Sequence, residues 1–375
     1  MRVDFVIIGG GIVGASAAYF LSSLGSVVLL EQEDHVGTHS SGRTAGQYTV
    51  GISANQMRAL AAASRDFLIS PPSGFADGDL TSRRGSLTVA RDEQAATLDK
   101  LHERILSGGG ESRMVTRDEA LALFPALVPS IFDLGVYEVD AMDIDVNELL
   151  QAYLRSAKRN GAQVLTSKEV RAIDRQGGGW NVVTAEESFY APFVVNAGGG
   201  WADAVASLAG IRPVGLVPYK RTAFTFSLLP GSIGADWPHV TTADYSWYVK
   251  PEPGCFMGSP ADAVPVEPGD VYPDDLDVAQ GIYNIEQETE LRIARPLSSW
   301  AGMRSYVADR NPVLGMRPDA PGFVWLAGLG GCGVLTSPAA GRIAGALVEG
   351  KPLPETLATY GADLAALSPA RAGLC

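Results

Sequence analysis

A glycine-rich segment near the amino terminus has the spacing that nucleotide cofactors require. Gly9, Gly11 and Gly14 form the pattern Gly-x-Gly-x-x-Gly, which follows the apolar run 3–8 and precedes a segment of small residues. In this pattern the first glycine permits a tight turn, the second lets a pyrophosphate approach the backbone, and the third allows close packing of helix against strand. The N–H groups at the start of the helix would then face the phosphates. The pattern therefore predicts a dinucleotide site.

An acidic residue at the end of the next apolar run strengthens this prediction. Glu31 follows the run 27–30 and stands 22 residues after Gly9. A carboxylate in this place can accept hydrogen bonds from ribose hydroxyls. Strand, turn, helix and acid together predict dinucleotide binding, and the neighbouring residues expected to contact the cofactor are Ile12, Val13 and Gln32.

A second glycine-rich segment, near the carboxyl terminus, distinguishes between NAD and FAD. The apolar run 323–327 is followed by four glycines between positions 328 and 333, and then by a segment typical of a helix. Ser337 fits the N-cap of that helix and Pro338 its first position. A helix start in this place suits the anionic edge of a reduced flavin. The segment favours FAD, and a plain connection between a strand and a helix is the alternative interpretation.

The composition excludes several classes of function. The formal net charge of −13 disfavours contact with nucleic acid or anionic lipid. Cys255, Cys332 and Cys375 form no Cys-x-x-Cys pair and histidine is scarce, so no metal site is expected. The apolar run at the amino terminus is too short for a signal peptide, and no run approaches the roughly 20 residues of a spanning helix. We expect a cytoplasmic protein with reduced thiols.

Further helices and strands must position these segments. Capping pairs that begin at Ser53, Thr116 and Asp145 predict three helices. Residues 211–299 are richer in proline and aromatic residues and predict a separate sheet with one helix near 275–293. The nucleotide domain is therefore expected to consist of separated pieces of the chain. After the helix that begins at Asp145, short strands are predicted near 163–165, 170–173, 180–184 and 188–190. Turn residues separate them, which is typical of an antiparallel meander.

Four segments stand in the order found in one family of flavoenzymes. They are the Gly9–Gly14 pattern, Ser40-Ser41-Gly42-Arg43, residues 194–201 and the loop 328–337. In these segments the chain resembles the D-amino acid oxidase-like family of FAD-dependent oxidoreductases, which includes D-amino acid dehydrogenases, glycine oxidase and sarcosine oxidase. Within the family it looks most similar to bacterial D-arginine dehydrogenase, for example at residues 258–261 and 300–305.

The resemblance implies a mixed α/β fold, in which a glutathione-reductase-type FAD-binding Rossmann domain carries an inserted antiparallel-sheet substrate domain. We expect residues 1–79, 145–212 and 300–375 to form the FAD-binding domain, and residues 80–144 and 213–299 the substrate domain. The cysteine that tethers flavin in sarcosine oxidases is matched by other residues within 305–307, which implies non-covalent FAD. Beyond the residues around the Gly9–Gly14 pattern, the resemblance to the family implies further contacts with FAD. They are expected at Ser40, Ser41, Gly42, Arg43, Val170, Ala197, Gly198, Trp201, Gly330, Gly331, Gly333, Val334, Leu335 and Thr336.

The resemblance also implies a reaction and the residues that carry it. In the family the Cα hydrogen leaves as a hydride to flavin N5, and the imino product hydrolyses to a 2-oxo acid. Arg221 and Arg304 match the arginines that clamp the substrate carboxylate, and Tyr248 matches a tyrosine whose hydroxyl helps to hold it. An arginine fork binds a carboxylate through two hydrogen bonds, which fixes its orientation. The alternative for all three residues is an ordinary place on a strand surface.

Departures from the family pattern bear on the substrate. Ser86 stands where D-arginine dehydrogenase has a glutamate that faces the guanidinium of its substrate, and Gln47 and Ile52 replace a histidine and a tyrosine. Gln47, which the resemblance places among the catalytic residues with Arg221, Arg304 and Tyr248, can still hydrogen-bond, but it cannot titrate near neutral pH. We therefore predict a neutral D-amino acid substrate with an apolar or aromatic side chain. The pocket is expected to include, in addition, Trp247 and Gly331, with Tyr245 and Met257 nearby.

Other interpretations remain open from the sequence alone. The same clamp and hydride geometry would serve an N-methyl amino acid, a cyclic amino acid or a 2-hydroxy acid. A catalytically silent flavoprotein subunit would need no clamp, so Arg221 and Arg304 argue against it. An NAD-only dehydrogenase would be colourless, whereas a flavoprotein is yellow. Oxygen and a quinone are both open as the electron acceptor.

Overall fold

The chain folds around two large sheets, and the computed structural model describes residues 1–227 and 234–374, so Cys375 lies outside it. In this part of the chain the α-helices are α1 (Ile12–Leu21), α2 (Asn55–Ile69), α3 (Ala95–Ser107), α4 (Arg117–Leu123), α5 (Val146–Arg159), α6 (Ala202–Leu208), α7 (Asp275–Glu288), α8 (Gly333–Glu349), α9 (Glu355–Thr359) and α10 (Leu364–Leu367). The strands of the first half are β1 (Phe5–Ile8), β2 (Val27–Leu30), β3 (Gln47–Tyr48), β4 (Thr81–Arg83), β5 (Ser86–Ala90), β6 (Ser112–Thr116), β7 (Leu134–Glu138), β8 (Met142–Ile144), β9 (Gln163–Leu165), β10 (Ala172–Gln176) and β11 (Gly179–Val183). Those of the second half are β12 (Ser188–Ala191), β13 (Phe193–Asn196), β14 (Val217–Phe226), β15 (His239–Thr242), β16 (Tyr248–Glu252), β17 (Cys255–Ser259), β18 (Val264–Pro265), β19 (Ser298–Tyr306), β20 (Val313–Met316) and β21 (Phe323–Ala327).

A six-stranded sheet of order β20-β21-β13-β1-β2-β9 carries both glycine-rich segments. All neighbours in it run parallel except the edge strand β20, which is antiparallel to β21. Strands β1, β2 and β21 are buried along their full length because both faces of the sheet are covered. One face packs on α1, α2, α5 and α8 through residues such as Ile7 and Leu29, and the other packs on the β10–β12 meander through Ile8 and Leu30.

Small residues let α1 and α8 pack closely against each other. A Cβ at Gly341 would lie 2.4 Å from Ser16 Oγ and 2.4 Å from Phe20 Cδ2, so only glycine fits at this crossing. Ser16 Oγ also donates a hydrogen bond to the carbonyl oxygen of Ser337 at 2.7 Å. The two helices that follow the glycine-rich loops are therefore held side by side.

A nine-stranded sheet consists of β5–β7 and β14–β19. Its neighbouring strands are antiparallel except β5 and β15, which run parallel. Side chains alternate between the two faces along a strand, so one face collects apolar residues such as Phe224 and Val249, which pack with α7. The opposite face presents Ala223, Tyr248 and Met257, which form a separate small cluster.

The predicted mixed α/β fold, with one nucleotide-type sheet and one antiparallel sheet, is confirmed. A small sheet, β3-β8-β4, connects segments from both predicted domains. Strand β19 pairs with β14 from Ser298 to Tyr306, so it belongs to the nine-stranded sheet although it crosses the predicted boundary at residue 300. The predicted domain boundaries themselves stay a prediction.

Two of the predicted helix caps are found in the structure, and two other predicted helix boundaries differ from it. Thr116 and Asp145 cap α4 and α5 as predicted. Helix α2 begins at Asn55 without a side-chain cap, so the cap predicted at Ser53 is wrong. Helix α7 ends at Glu288, five residues before its predicted end.

The start of α8 is also corrected. The helix begins at Gly333, so Ser337 is not its N-cap and Pro338 lies within the helix. A proline there removes the N–H that would bond to the carbonyl of Val334, four residues earlier. Ser337 Oγ donates to that carbonyl oxygen at 2.8 Å, which replaces the missing bond and lets the helix continue through the proline.

Residues 1–227 and 234–374 contain no helix long and apolar enough to cross a bilayer. Over the same residues, no three side chains among His, Cys, Asp and Glu are grouped so that they could hold a metal ion. Cys255 and Cys332, the cysteines that the structure describes, are both free thiols.

Candidate active site

The turn between β1 and α1 depends on glycines at two close contacts. Gly9 has a φ of +108°, and a Cβ there would lie 2.4 Å from the carbonyl oxygen of Ala197. A Cβ at Gly14 would lie 1.9 Å from the oxygen of Gly9, which explains the third glycine of the pattern. Gly11 has only Ser41 Oγ near it, at 3.3 Å, so a ligand can approach its backbone.

Glu31 is fixed at the end of β2 by backbone donors. Its Oε2 accepts a hydrogen bond from Gly10 N at 2.6 Å, and its Oε1 accepts one from Glu33 N at 2.9 Å. The side chain is buried, and each oxygen keeps a lone pair for a further donor. The carboxylate can therefore still accept from ribose hydroxyls, which is the role that the sequence predicts.

Two adjoining cavities run along the carboxyl ends of β1, β2, β13 and β21. Their empty volumes, open solvent included, are about 1000 Å³ and about 910 Å³, and they share Gly11, Ser40, Ser41, Ala197 and Gly199. The larger, here the dinucleotide cavity, is also lined by the predicted cofactor residues Gly9, Glu31, Gln32, Val170, Gly198 and Trp201. The smaller, here the clamp cavity, is also lined by Ile12, Val13, Arg43, Gly330, Gly331, Gly333 and Val334, together with Arg221, Tyr248 and Arg304. Two joined cavities suit a long ligand of two parts, as FAD is.

Four predicted cofactor residues line neither cavity. Gly14 and Gly42 serve close backbone packing, since a Cβ on either would lie within 2.7 Å of a carbonyl oxygen. Leu335 and Thr336 are buried in α8, and the Thr336 hydroxyl bonds within the helix. These four residues therefore do not face the cofactor cavities but pack beneath the residues that line them.

Arg43 lines the clamp cavity, but its guanidinium group is bound by the protein itself. Nη1 donates to the carbonyl oxygens of Val271 at 3.0 Å and Ala301 at 3.2 Å, and Nη2 pairs with Asp270 at 2.5 Å. The side chain therefore connects β19 to the loop before α7. A cofactor contact at this residue would be made by its backbone.

Arg221 and Arg304 lie side by side on the nine-stranded sheet. In the β14–β19 register Arg221 is opposite Gly302, and Arg304 is opposite Tyr219. The two arginines are therefore diagonal neighbours on one face, about 7–8 Å apart at the backbone. Tyr248 lines the same cavity from β16. The structure thus brings together the three residues predicted to hold a carboxylate.

The positive charge of this pair is only partly balanced. Arg221 Nε donates to the carbonyl oxygen of Asp262 at 2.5 Å and lies 3.9 Å from the Asp262 carboxylate. Its Nη1 is buried without a hydrogen-bond partner. No carboxylate within residues 1–227 and 234–374 pairs with Arg304. Two adjacent guanidinium groups share one distant carboxylate, so the site favours a bound anion.

Arg304 keeps its charge despite its position. Burial acts to lower the pKa of Arg304, but the phenols of Tyr245, Tyr248 and Tyr306 outweigh it and raise the pKa above its ordinary value. An arginine is in any case charged at every physiological pH. The cavity therefore holds a permanent cation.

The glycine loop before α8 is shaped around Arg304. A Cβ at Gly331 would lie 2.9 Å from Arg304 Nε and 3.0 Å from Cζ, so the guanidinium group lies directly against this backbone. Gly330 has a φ of +53°, donates its N–H to Ser305 O at 3.0 Å, and has no room for a Cβ beside the ring of Tyr306. The loop and β19 are thereby joined at the clamp.

Trp247 is not a pocket residue, which corrects the prediction. Adjacent residues of a strand point to opposite faces, and Tyr248 faces the clamp cavity. Trp247 is fully buried on the other face among the apolar residues that pack with α7, and its Nε1 donates to Glu288 Oε2 at 2.7 Å. The two neighbours cannot both face the substrate.

One predicted catalytic residue, Gln47, and two further predicted pocket residues, Ile52 and Ser86, lie outside the lining of the clamp cavity. Gln47 belongs to β3, and its Nε2 is buried without a partner. Ile52 packs on the core beneath the six-stranded sheet. Ser86 lies on β5, where its Oγ is 3.3 Å from Nδ1 of His239. Burial, with the nearby charges of Lys250 and Arg304, lowers the pKa of His239 to about 3, so this imidazole is neutral.

Several lining residues were not predicted. Ala223 could have been found, because it stands two residues after Arg221 on β14 and therefore shares its face. Thr44 and Ala45 follow Arg43 in a loop, and no residue pattern marks them. Met303 enters the lining from β19, where its carbonyl oxygen accepts from Ser40 Oγ at 2.8 Å.

Comparison with known proteins identifies the family. The FAD dependent oxidoreductase family, DAO, matches residues 4–347. Glycine oxidase of Geobacillus kaustophilus is 26% identical over an alignment of 379 positions, gaps included, that covers 96% of each chain. Hydrogen cyanide synthase subunit HcnC of Pseudomonas aeruginosa is 23% identical over an alignment of 401 positions, gaps included, that covers 95% of each chain.

Solved structures share the fold. The crystal structure of the Geobacillus kaustophilus glycine oxidase superposes with a TM-score of 0.86 at 24% identity and covers 99% of both chains. The FAD-bound L-α-glycerophosphate oxidase of Mycoplasma pneumoniae superposes with a TM-score of 0.84 at 22% identity, over 93% of this chain and 95% of that one. Glycine oxidase is among the relatives that these comparisons find, and they do not support the predicted special likeness to D-arginine dehydrogenase. The chain belongs to the DAO family of FAD dependent oxidoreductases, and FAD is its cofactor.

Proposed function

We propose that the enzyme oxidises a neutral D-amino acid with an apolar or aromatic side chain by removing a hydride from Cα. The imino acid then hydrolyses in water to a 2-oxo acid and ammonia. The observation that carries the proposal is the pair of guanidinium groups in the clamp cavity, where Arg221 Nη1 has no partner among the described residues. A carboxylate would satisfy both groups through charge-assisted hydrogen bonds.

The residues of the two cavities fit FAD. The open backbone at Gly11 and the start of α1 would hold the pyrophosphate, Glu31 the ribose, and the loop 328–333 the ring system. When bound, FAD supplies the hydride acceptor. Arg221 and Arg304 would hold the substrate carboxylate and Tyr248 would donate its hydroxyl to it, which fixes the direction of the Cα–H bond. Such fixed orientation is a large part of what a hydride transfer requires.

The clamp cavity offers no base and no negative charge. Among its lining residues in the described part of the chain there is no Asp, Glu, His or Lys. The substrate amino group must therefore arrive neutral or release its proton to water before the hydride leaves. A cationic side chain would also find no counter-charge in this lining, which favours a neutral substrate over arginine or lysine.

Cys332 supports non-covalent binding of FAD. It lies in the loop before α8, where burial raises the pKa of its thiol to about 11. Thiols react as thiolates, so this cysteine is unreactive at neutral pH. We therefore propose that the flavin is released intact when the protein is denatured.

Anaerobic flavin reduction by a panel of acids tests the proposed function. D-phenylalanine and D-leucine are expected to bleach the flavin, and D-arginine and the L-enantiomers are expected to do so much more slowly. The rate should rise with pH towards the pKa of the substrate amine, because the lining supplies no base. Reduction by sarcosine, proline or a 2-hydroxy acid, with none by any D-amino acid, would overturn the D-amino acid proposal in favour of those substrates.

A further inference from the structure

The turn between β17 and β18 is held against β14, the strand that carries Arg221. Ala261 in this turn has a φ of +54°, a left-handed conformation that costs a residue with a Cβ roughly 1–2 kcal/mol. The buried hydroxyl of Ser259 compensates, because it accepts a hydrogen bond from Ala261 N at 3.0 Å and donates one to the carbonyl oxygen of Thr222 at 2.6 Å. The next residue, Asp262, is thereby placed beside β14.

Asp262 takes the place of a paired strand along part of β14. That strand pairs with β17 at Phe224–Phe226 and with β18 at Tyr219–Lys220, so residues 221–223 lie between the two pairings. In this interval the carboxylate of Asp262 supplies the partner: Oδ1 accepts from Thr222 N at 2.6 Å, and Oδ2 accepts from the Thr222 hydroxyl at 3.1 Å. Both oxygens are committed to one residue of β14, and the position of Asp262 is therefore fixed.

The backbone of Asp262 holds the guanidinium group of Arg221 by one nitrogen. Asp262 O accepts from Arg221 Nε at 2.5 Å, whereas the carboxylate, which is bound to Thr222, lies 3.9 Å from that nitrogen. The Nη1 of Arg221 stays buried without a partner among the described residues. The neighbouring Lys220 shows the alternative, because its ammonium group pairs with Asp277 at 2.5 Å and its charge is balanced. Asp262 therefore fixes the direction of Arg221 but leaves much of its charge available.

We propose that Asp262 is a positioning residue, which holds Arg221 by Nε so that the two Nη groups meet the carboxylate of the substrate in a fixed direction. This inference rests on the proposed function, since it assumes that Arg221 binds an acid. Asp262 is not among the residues that line the clamp cavity, so it acts through Arg221. Ordering a long side chain before the ligand arrives removes an entropic cost from binding. A fixed carboxylate in turn fixes the Cα–H bond on which hydride transfer depends.

Asp262→Ala in the FAD-loaded enzyme tests this role. The readout is the preference for an acid over its amide in rapid anaerobic flavin reduction, measured with the amino acid of the panel that bleaches the flavin fastest and with its amide. The variant should lose about 10-fold of this preference, which is on the scale of one charge-assisted hydrogen bond, through a higher apparent dissociation constant for the acid. A merely structural change would affect acid and amide alike, and an unchanged preference would overturn the proposal.

Two further variants separate the hydrogen bonds of Asp262 from its charge and from a loss of the fold. Asp262→Asn keeps the backbone carbonyl and an acceptor for Thr222 N but removes the charge, so it should keep the preference of the wild type; a loss equal to that of Asp262→Ala would contradict a positioning role. Thr222→Val removes only the hydroxyl that donates to Asp262 and should lower the preference about 2- to 5-fold. If Asp262→Ala does not retain FAD, Thr222→Val decides, and an unchanged preference in that variant would overturn the proposal.

Asp4→Ala is the matched control. Asp4 accepts from the backbone N–H and the hydroxyl of Ser26, both at 2.7 Å, as Asp262 does from those of Thr222, but it lies at the amino-terminal end of β1, opposite to the cavities. It should leave the acid preference unchanged, and an equal loss would assign the effect to general destabilisation. If Arg221→Met abolishes the preference while Asp262→Ala keeps it, only the positioning role fails. If Arg221→Met keeps the preference, the carboxylate clamp itself fails.

Discussion

The two ends of the joined cavities are built on opposite principles. At the dinucleotide end the polar groups are already paired with backbone: both oxygens of Glu31 accept N–H groups, and Ser41 Oγ accepts Ile12 N at 2.9 Å. At the clamp end, Arg221 Nη1 has no partner among the described residues. The first end is a fixed shape into which a cofactor fits. At the second end the protein balances the charge of two guanidinium groups only in part, so a bound anion would complete the balance.

This difference determines how each end should respond to mutation. A fixed shape fails when a single methyl group is added, because a carbonyl oxygen cannot move out of the way. A guanidinium group at the clamp end can be removed without loss of the fold, because replacing a buried charge that is incompletely paired can be neutral for stability. Substitutions at the first end should therefore affect the cofactor, and those at the second should affect the substrate.

The largest expected effect is at Gly14. A Cβ there would overlap the carbonyl oxygen of Gly9 at 1.9 Å, so Gly14→Ala should abolish FAD binding or the soluble fold. Gly345 provides the matched control, since it also lies in a helix and a Cβ there would have only Leu24 Cδ1 near it, at 3.9 Å. Gly345→Ala should keep the flavin and add about 0.5–1 kcal/mol of stability. Flavin content and thermal unfolding of the two variants measure FAD binding and stability. A Gly14→Ala protein that is yellow and stable would contradict the claim that the dinucleotide end has a fixed shape.

Glu138, on β7 of the nine-stranded sheet, makes the free energy of unfolding depend on pH. Burial raises its pKa to about 7 against the hydrogen bonds from Thr49 and Val50, which act to lower it. The pKa of Glu138 in the folded protein lies above the ordinary value of 4.5, so the stabilising contribution of this residue is complete below pH 4.5 and is lost as the pH rises through 7. The loss is on the order of 3 kcal/mol.

Glu138→Gln should therefore flatten the stability profile between pH 5 and pH 8, measured by chemical denaturation. Glu93→Gln is the control, because Glu93 is exposed. A variant that keeps the slope of the wild type would assign the pH dependence to other groups.

Gly331 should show that the loop and the clamp depend on each other. Gly331→Ala places a methyl group 2.9 Å from Arg304 Nε, so the guanidinium group must shift. We expect kcat/KM to fall about 10-fold, which is on the scale of one charge-assisted hydrogen bond, while the flavin is retained. Steady-state kinetics with the best substrate of the panel measure this; an unchanged kcat/KM would mean that the position of Arg304 is not critical.

The smallest expected effect on substrate binding is at Trp247. Trp247→Phe removes the hydrogen bond to Glu288 on the core face and should cost about 1–2 kcal/mol of stability. The apparent substrate constant should change by less than about twofold, whereas Tyr248→Phe should raise it several-fold without a comparable loss of stability. Equal effects of the two neighbours on the substrate constant would contradict the assignment of opposite faces.

The dinucleotide end was predictable from sequence because its determinants are local. Gly9, Gly14 and Glu31 belong to one strand–turn–helix–strand unit, and their spacing specifies the geometry. At the other end, resemblance indicated Arg221 and Arg304, but spacing along the chain could not bring together residues 83 positions apart. Their proximity comes from the pairing of β14 with β19, a register that no local pattern encodes.

The wrong predictions have identifiable physical causes. Trp247 is predicted to line the pocket, but it stands next to Tyr248 in the chain, and strand alternation separates the two onto opposite faces. The prediction that α8 begins at Ser337 rests on Pro338, because proline normally marks the first turn of a helix. Here the Ser337 hydroxyl compensates for the proline within the helix, and such compensation is visible only in the folded chain.

The central claim is that paired guanidinium groups recognise the carboxylate of the substrate. The most direct test is rapid anaerobic flavin reduction by D-phenylalanine and by D-phenylalaninamide in the wild type and in Arg304→Met, with Arg212→Met, a substitution of an exposed arginine, as control. The wild type and the control should prefer the acid over the amide by about 10- to 100-fold, and Arg304→Met should lose most of that preference. An Arg304→Met enzyme that still prefers the acid to the same degree would contradict the claim.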